Sequence, residues 1–314
     1  MLTWVKCDRI LSHLQAPPMY FNNETIMYLD GEWVYARDAN ASVYAQTIHY
    51  GTGVFEGIRS YAIGQRASMF RGDDHYHRLV YSTQAIGIPF YMPAEELMEV
   101  TYELLDRNNL IEAYIRPFVY SSPMMSLSLP EEAHIAICAW QWKKLLGDKL
   151  VNICVSPYCR PHPGSCRINA KISGHYVNSI LAATDARSKG YDDALQLDVD
   201  GYVAECSGAN FFIEKEGVLI TAPPGHILPG ITRDTILQLC RSLGIEVRQT
   251  RFRPEDVYEA DGAFVVGTAA EVAGINSLND HVFAKEWSNT IGYSLQKKYE
   301  AATRQHDAWD EIHY

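Results

Sequence analysis

The segment Ile168-Asn169-Ala170-Lys171-Ile172-Ser173-Gly174-His175-Tyr176 places one lysine among small and apolar residues. Such surroundings disfavour the charged ammonium group, so a neutral, nucleophilic amine becomes accessible near neutral pH. An amine of this kind can form a Schiff base with a carbonyl group. A surface lysine whose stem lies over apolar side chains would show the same local pattern. The segment therefore predicts a catalytic lysine only if other parts of the chain supply the rest of a site.

The composition is that of an acidic, globular protein. The chain has 314 residues, of which 47% are hydrophobic and 21% charged, with a formal net charge of -11. This length predicts two domains, and the negative charge disfavours nucleic acid or an anionic membrane as a partner. No apolar stretch approaches the roughly 20 residues that span a bilayer. The seven cysteines are scattered without a C-x-x-C pair, which favours a cytoplasmic protein over a disulfide framework or a zinc site.

Turn residues and hydrophobic periodicity divide the chain into two halves that each mix helices and strands. Two strands are predicted around Asp30-Gly31, a further strand over 54–61, and helices over 75–86, 94–108, 176–188 and 232–243. Because the elements do not alternate strictly, the order indicates an α+β fold rather than a doubly wound parallel sheet. The predicted organisation is an N-terminal extension (1–26), a small α+β domain (27–142), a charged linker (143–149) and a larger domain (150–314).

Two segments predict backbone sites for an anion. Leu228-Pro229-Gly230-Ile231-Thr232 leads into the helix predicted from Thr232, and the free N–H groups of a helix N-terminus suit a phosphate. Thr232 could also cap that helix, and an ordinary capped helix is the alternative interpretation. Gly267-Thr268-Ala269-Ala270-Glu271 follows a predicted strand, and its small residues let backbone N–H groups approach an anion closely. A tight strand-to-helix turn is the alternative there.

Glu205 is a candidate for a different contact. It follows the predicted turn at Asp200-Gly201, among the small residues of Ala204-Glu205-Cys206-Ser207-Gly208. A carboxylate at a sheet edge can hold a heterocyclic nitrogen in its protonated form, which makes a pyridine ring an electron sink. A solvated turn glutamate is the alternative. A buried lysine, a helix-end phosphate site and this carboxylate together predict pyridoxal 5'-phosphate as the cofactor.

Two other patterns carry no prediction. The glycines of Gly51-Thr52-Gly53-Val54-Phe55-Glu56-Gly57 have the spacing G-x-G-x-x-x-G, which is not that of a dinucleotide-binding turn. His49, His75 and His77 do not form an H-E-x-x-H motif. No metal site is therefore predicted.

The stretch from His49 to Tyr61 resembles the N-terminal signature of branched-chain amino-acid aminotransferases. The other motifs of that family have counterparts in the same order at 171–179, 204–212, 228–234 and 267–271, and the similarity runs from about Met27 to about Asn276. These enzymes are class IV aminotransferases of pyridoxal phosphate fold type IV. The resemblance implies a two-domain α+β homodimer with the cofactor in the cleft between the domains.

The resemblance also implies roles for individual residues. Lys171 would bind the cofactor as a Schiff base and move a proton between the substrate Cα and the cofactor's C4'. Glu205 would pair with the pyridine nitrogen, and Tyr176 would hydrogen-bond the 3'-oxygen. The remaining cofactor contacts would come from Arg78, Leu228, Ile231, Thr232 and Thr268. The substrate would be bound by Tyr50, Phe55, Gly57, Tyr114, Arg116, Thr268 and Ala269, with Tyr50 reaching the neighbouring subunit's site.

The predicted activity is transfer of the amino group of leucine, isoleucine or valine to 2-oxoglutarate by a ping-pong mechanism. A pocket that accepts leucine must also accept glutamate, and a movable Arg116 could pair with the distal carboxylate. A D-amino-acid or (R)-amine aminotransferase and an aminodeoxychorismate lyase are alternatives on the same fold. Residues 55–59 and the pair Tyr114 and Arg116 favour the branched-chain interpretation. A non-catalytic cofactor-binding protein is disfavoured, because binding alone would not need the lysine.

Overall fold

The computed structural model describes residues 20–142 and 149–304. Within these ranges both halves of the chain mix helices and strands, in agreement with the α+β prediction. Most of the predicted N-terminal extension (1–19), most of the predicted linker (143–148) and the last residues (305–314) lie outside the described residues. The domain boundaries at the linker therefore stay a prediction.

The first half of the chain forms one antiparallel sheet. Its strands are β1 (Ile26–Leu29), β2 (Glu32–Tyr35), β3 (Gly53–Phe55), β4 (Ile58–Ile63), β5 (Arg66–Met69), β6 (Ala113–Ser121) and β7 (Ala133–Gln141). Their order is β2-β1-β7-β6-β4-β5, and β3 also pairs with β6. The predicted hairpin is confirmed, since β1 and β2 pair across Asp30 and Gly31. Both turn residues have positive φ, at 49° and 93°, as a two-residue type I′ turn requires.

Two helices cover one face of this sheet. They are α2 (Gly72–Ala85) and α3 (Ala94–Arg107), and a short helix α1 (Gln46–Tyr50) precedes β3. Leu79 of α2 and Leu104 of α3 share a buried cluster with Ile115 and Val119 of β6. Because side chains alternate along a strand, Arg116 and Phe118 of β6 point to the opposite face.

The second half of the chain forms a larger, mixed sheet. Its strands are β8 (Val151–Val155), β9 (Asp193–Leu197), β10 (Val203–Cys206), β11 (Asn210–Lys215), β12 (Val218–Thr221), β13 (Val247–Gln249), β14 (Gly262–Gly267), β15 (Glu271–Leu278) and β16 (His281–Val282). The order is β10-β9-β8-β15-β14-β11-β12-β13, with β16 beside β15. The helices are α4 (Tyr176–Ser188), α5 (Ile231–Leu243), α6 (Pro254–Tyr258) and α7 (Ile291–Arg304). None of the described helices is long and apolar enough to span a membrane.

Three local predictions were wrong. The strand predicted over 54–61 is interrupted, because the buried Glu56 separates β3 from β4. Thr232 does not cap α5, whose N-cap is Gly230 without a side-chain cap. The segment 268–270 joins two antiparallel strands, β14 and β15, so the alternative interpretation as a strand-to-helix turn also fails.

The lysine segment lies where the two halves meet. Ala170 and Ile172 are buried in the cluster of the first half, although they belong to the chain after the linker. Ile172 also forms a β-bridge with Val54. The backbone around Lys171 is therefore held against the first sheet, while α4 begins directly after it in the second half.

Candidate active site

Lys171 is fixed by its backbone, and its amine faces a cleft between the two halves. The Phe55 N–H donates to the Lys171 carbonyl at 3.2 Å, and the Lys171 N–H donates to Ser82 Oγ at 3.0 Å. The Lys171 amine donates to the Tyr176 hydroxyl at 2.5 Å and lies 4.9 Å from the centre of the Phe55 ring. The Lys171 amine therefore faces the cleft beside the Tyr176 hydroxyl.

Glu205 lies in the same cleft and is fully buried. Its two oxygens accept the Leu228 N–H at 3.2 Å and the Asn210 side-chain amide at 2.9 Å. Arg160 Nε lies 2.9 Å from Glu205 Oε1 in an ion pair that is itself buried. Burial raises the pKa of Glu205, while the charge of Arg160 acts in the opposite direction. A protonated ring nitrogen beside Glu205 would supply a second positive charge and favour the carboxylate further.

The start of α5 presents backbone N–H groups that could bind an anion. Gly230 precedes the helix, and a side chain there would collide with Asn210, since a Cβ would lie 2.0 Å from its Oδ1. The first N–H groups of α5, from Ile231 onward, have no partner within the helix, and they lie at the positive end of the helix dipole. Both Ile231 and Thr232 line the cleft.

Arg78 reaches this site from α2 but is already paired with Glu56. Arg78 Nε and Nη2 contact the two Glu56 oxygens at 2.6 and 2.9 Å, and Nη1 donates to the Pro229 carbonyl at 2.9 Å. A guanidinium has five N–H donors, so two remain for a ligand in the cleft. His75 Nδ1 lies 2.8 Å from Glu56 Oε2.

The buried Glu56 carboxylate and its two basic neighbours, Arg78 and His75, shift one another's pKa values. Burial acts to raise the pKa of Glu56, but Arg78 and His75 outweigh it and hold the pKa well below its usual range. Burial lowers the pKa of His75, although the Glu56 carboxylate that it contacts acts in the opposite direction. The charge of Arg78 is thus largely balanced by Glu56, and the helix dipole supplies much of the attraction for a phosphate.

A second hollow adjoins the cleft on the open face of the first sheet. Phe55 separates the two, since its ring contacts Tyr176 at 4.7 Å on one side and the Arg116 guanidinium at 4.6 Å on the other. Arg116 Nη2 donates to the Tyr114 hydroxyl at 3.4 Å. Gly57 is required beside this hydroxyl, because a Cβ there would lie 1.9 Å from it. Met27, Phe118 and Ala136 give the hollow apolar walls.

The structure brings together the predicted cofactor-binding residues. The cleft is lined by Arg78, Lys171, Tyr176, Glu205, Leu228, Ile231, Thr232 and Thr268. Phe55 and Arg116 line the adjoining hollow, with Tyr114 and Gly57 in contact beside it. Ala269 follows Thr268 in the turn after β14. Tyr50 is apart from both, with 49% of its surface exposed, so its predicted role depends on a second subunit.

Sequence reasoning missed the residues that support this set. Arg160 and Asn210 hold Glu205, and Glu56 holds Arg78. Glu56 and Asn210 lie in segments that carry the family resemblance, but no local pattern marks any of the three as a buried partner, because each contact joins separate parts of the fold. The described residues contain no group of three or more His, Cys, Asp or Glu side chains placed to hold a metal ion.

Comparison with known proteins gives the family. Residues 53–278 match the model of amino-transferase class IV. The chain belongs to the class IV aminotransferase family. A branched-chain-amino-acid aminotransferase of Pseudomonas aeruginosa is 37% identical over 298 residues, covering 92% of this chain and 97% of the relative.

Solved structures of such enzymes share the fold. The branched-chain aminotransferase of Thermoproteus uzoniensis, solved with norvaline, superposes with a TM-score of 0.87 at 36% identity, covering 91% of this chain and 97% of that one. Another solved branched-chain amino acid aminotransferase gives a TM-score of 0.85 at 32% identity, with the same coverage. It was solved with pyridoxamine 5'-phosphate and in complex with N-(5'-phosphopyridoxyl)-L-glutamate. These likenesses confirm the predicted α+β fold of type IV.

The residues present fit pyridoxal 5'-phosphate. The Lys171 amine and the buried Glu205 carboxylate line one cleft, and the backbone donors at the start of α5 line it too. The backbone is closely packed at the edge of this cleft, since a Cβ on Gly267 would lie 3.2 Å from the Gly208 carbonyl oxygen. The site thus offers an amine for the aldehyde, an acid for the ring nitrogen and N–H groups for the phosphate.

Proposed function

We propose that this chain is a pyridoxal phosphate-dependent branched-chain-amino-acid aminotransferase that transfers the amino group of leucine, isoleucine or valine to 2-oxoglutarate. The observation that carries this proposal is the position of the Lys171 amine. It faces the cleft that Glu205 and the start of α5 also line. It also lies 4.9 Å from the Phe55 ring, and this ring contacts Arg116 and lines the adjoining apolar hollow. The family membership and the named relatives support the same activity.

When bound, pyridoxal 5'-phosphate supplies an electron sink for the pair of electrons released at the substrate Cα. Lys171 would anchor the cofactor and then carry a proton between the substrate Cα and the cofactor's C4'. Tyr176 lies 2.5 Å from the Lys171 amine, so its hydroxyl would be placed to hydrogen-bond the cofactor's 3'-oxygen. Glu205 would keep the ring nitrogen protonated, and Leu228 would pack against the ring.

Phosphate binding would be shared between the two halves of the chain. Ile231 and Thr232 offer backbone donors, Thr268 lies across the cleft, and Arg78 has two free donors. Thr268 and Ala269, in the turn after β14, would also receive the substrate α-carboxylate. This division makes the cofactor itself a link between the halves.

Arg116 explains how one pocket accepts two kinds of substrate. Its guanidinium lies over the faces of the Phe55 and Tyr114 rings and forms one long hydrogen bond at 3.4 Å. An arginine with such a weak polar partner is available to a distal carboxylate, and bidentate pairing would favour glutamate strongly. With leucine, isoleucine or valine, the same guanidinium stays stacked on the rings and the apolar walls receive the side chain.

The proposal includes a cytoplasmic homodimer. Tyr50 is half exposed and does not line the cleft of its own chain. This is expected of a residue that contributes to the site of a neighbouring subunit. The outer face of α4, directly after the lysine segment, exposes Val177, Ile180 and Leu181. Apolar residues on one helix face favour burial against a second copy. The acidic charge and the scattered cysteines support the cytoplasm.

The test is the visible absorption spectrum of the purified protein before and after separate addition of L-leucine, L-glutamate, D-alanine and an (R)-amine. Loss of the cofactor's visible band with L-leucine and L-glutamate is the expected result. A response to D-alanine or the (R)-amine alone would replace the proposal with an aminotransferase of the other stereochemistry. A band that none of the four changes would point to a lyase, and no band after adding cofactor would refute the cofactor assignment.

The Lys171→Ala variant tests the catalytic residue. Because Lys171 is proposed to both anchor the cofactor and move the proton, its loss should lower kcat by at least about 100-fold while the protein stays folded. Lys189→Ala is the matched control, since Lys189 is half exposed and pairs with Asp185 on the surface of α4. Transamination at the wild-type rate in Lys171→Ala would contradict the assignment.

A further inference from the structure

The backbone around Lys171 is held by elements of the first half of the chain. The Lys171 carbonyl accepts the Phe55 N–H at 3.2 Å, and Ile172 forms a β-bridge with Val54. Both of these contacts come from strand β3. The other polar group of the Lys171 backbone, its N–H, is bound by helix α2, which also carries Arg78 of the proposed phosphate site.

Ser82 of α2 is the partner of that N–H. Its Oγ accepts the Lys171 N–H at 3.0 Å, although the two residues are 89 positions apart in the chain. None of the Ser82 surface is exposed. Because water cannot reach this hydroxyl, its loss would leave a backbone N–H unsatisfied, which is costly inside a protein. The Ser82 hydroxyl therefore fixes the backbone from which the lysine side chain extends.

The preceding residue of α2 holds the same segment at a second point. The Asn169 side-chain amide donates to the Tyr81 hydroxyl. Asn169 stands two residues before Lys171, and Tyr81 stands directly before Ser82. Two successive residues of α2 thus bind two alternate residues of the lysine segment. A shift of the segment along α2 would break both hydrogen bonds.

Helix α2 connects these contacts with the phosphate site. Arg78 and Ser82 are four residues apart, so they lie one turn apart on the same face of the helix. Arg78 Nη1 donates to the Pro229 carbonyl at 2.9 Å, in the segment that leads into α5. One turn of a regular helix therefore links the Lys171 backbone to the start of α5.

We propose that Ser82 is a positioning residue for Lys171, whose backbone its hydroxyl holds where the amine reaches the aldehyde of a cofactor bound at the start of α5. Among the described residues, those that line the cleft do not include Ser82. It acts through the Lys171 backbone, whereas Tyr176 contacts the amine itself. The inference rests on the proposed role of Lys171.

The variant Ser82→Ala removes the acceptor of the Lys171 N–H. Its binding is measured with two probes added to cofactor-free protein. Pyridoxal 5'-phosphate has an aldehyde that can form a Schiff base with Lys171, while pyridoxamine 5'-phosphate has an amine there and cannot. The dissociation constant for pyridoxal 5'-phosphate should rise about 5- to 10-fold, as expected for the loss of one buried hydrogen bond. The constant for pyridoxamine 5'-phosphate should stay unchanged, because the ring and phosphate contacts are intact.

Two further variants make the result specific. Thr83→Val is the matched control, since Thr83 is the next residue of α2, is equally buried, and donates its hydroxyl to the Val80 carbonyl of its own helix at 2.7 Å. It should bind both probes like the wild type. Tyr81→Phe removes the second contact with the lysine segment at a residue that is 43% exposed. It should also weaken pyridoxal 5'-phosphate selectively.

The variant Lys171→Ala decides whether Ser82 acts through the lysine. In a protein that already carries Lys171→Ala, the addition of Ser82→Ala should leave the dissociation constant for pyridoxal 5'-phosphate unchanged, because the Schiff base is lost in both proteins. A further rise of about 5- to 10-fold in that background would show that Ser82 supports the cleft by another route, and would overturn the inference.

The outcomes separate this inference from the proposed function. If Lys171→Ala keeps the visible band of the bound cofactor, the proposed role of Lys171 is wrong and the inference fails with it. If Lys171→Ala loses the band but Ser82→Ala binds both probes like the wild type, only the positioning role of Ser82 is wrong. An equal loss of affinity for both probes would also overturn that role, because a general loss of structure does not distinguish the aldehyde.

Discussion

The buried pair of Glu56 and Arg78 offers the sharpest test of how this site is held. We consider the variant Glu56→Gln, which keeps the shape of the side chain and removes its charge. Glu56 is 0% exposed and accepts from Arg78, from His75 and, at 3.1 Å, from the Gly57 N–H. Three of these contacts meet at Oε2, so the glutamine amide nitrogen would take the place of Oε1. It would then face Arg78 Nε, which is also a donor.

The expected cost follows from what remains after the change. Arg78 would be left as a buried cation with no opposite charge, and removing one partner of a buried pair costs about 3–5 kcal/mol. Glu103→Gln is the matched control, because Glu103 contacts Arg107 at the same 2.6 Å but both side chains are about half exposed. An exposed pair of this kind is worth only about 0.3–0.5 kcal/mol.

The assay is urea and thermal unfolding of cofactor-free protein, with both variants compared with the wild type. The double variant Glu56→Gln with Arg78→Met should recover most of the lost stability, since replacing both partners removes the unpaired charge. Equal shifts for Glu56→Gln and Glu103→Gln would refute the reasoning. A double variant no more stable than Glu56→Gln alone would refute the role of the unpaired cation.

The dependence on pH has a definite sign. The folded-state pKa of Glu56 is well below the usual value, so its stabilising effect is fully present above the unfolded pKa, about 4.3. The effect is lost as the pH falls from there toward the folded pKa. The difference between wild type and Glu56→Gln should therefore be constant near neutral pH and shrink below about pH 4.

Two further predictions concern the site. Arg116→Met should lower kcat/KM for glutamate about 10- to 100-fold, because a charge-assisted hydrogen bond is lost. The variant should lower kcat/KM for leucine much less. An equal loss for both substrates would contradict the proposed role of Arg116. Arg160→Met removes the cation that opposes the rise in the pKa of Glu205. The acidic limb of the kcat/KM profile against pH should move to higher pH, and an unchanged limb would show that Arg160 does not act through Glu205.

Local patterns predicted the elements that carry the chemistry. Helix α4 was predicted over 176–188 and is observed over the same residues, because its periodicity and its end near Gly190 are properties of neighbouring residues. The start of α5 after Pro229-Gly230 follows from the same kind of local rule, within one residue of the prediction. Lys171 and Glu205 were predicted because each lies in a short segment whose residue types suit one chemical task. Their roles stay predictions, while their presence in one cleft is observed.

Helix α7 and strand β15 were not predicted, although both contact strand β4 of the first sheet. Glu271 belongs to β15 and does not signal its partners in sequence. Its backbone is left-handed, and its carboxylate is bound by Arg59 and Tyr61, which lie more than 200 positions earlier in the chain.

The sequence by itself determined which groups this protein can bring to a reaction. They are the Lys171 amine, the Glu205 carboxylate, the small-residue turn at 267–271 and the start of α5. Only the tertiary structure decided how they are held. Glu56 neutralises Arg78, and the charge of Arg160 counteracts the effect of burial on the pKa of Glu205. The physical reason is that the strength of a charge or hydrogen bond depends on burial and on partners from other elements. Neither is a property of neighbouring residues, so neither can be deduced from a local pattern.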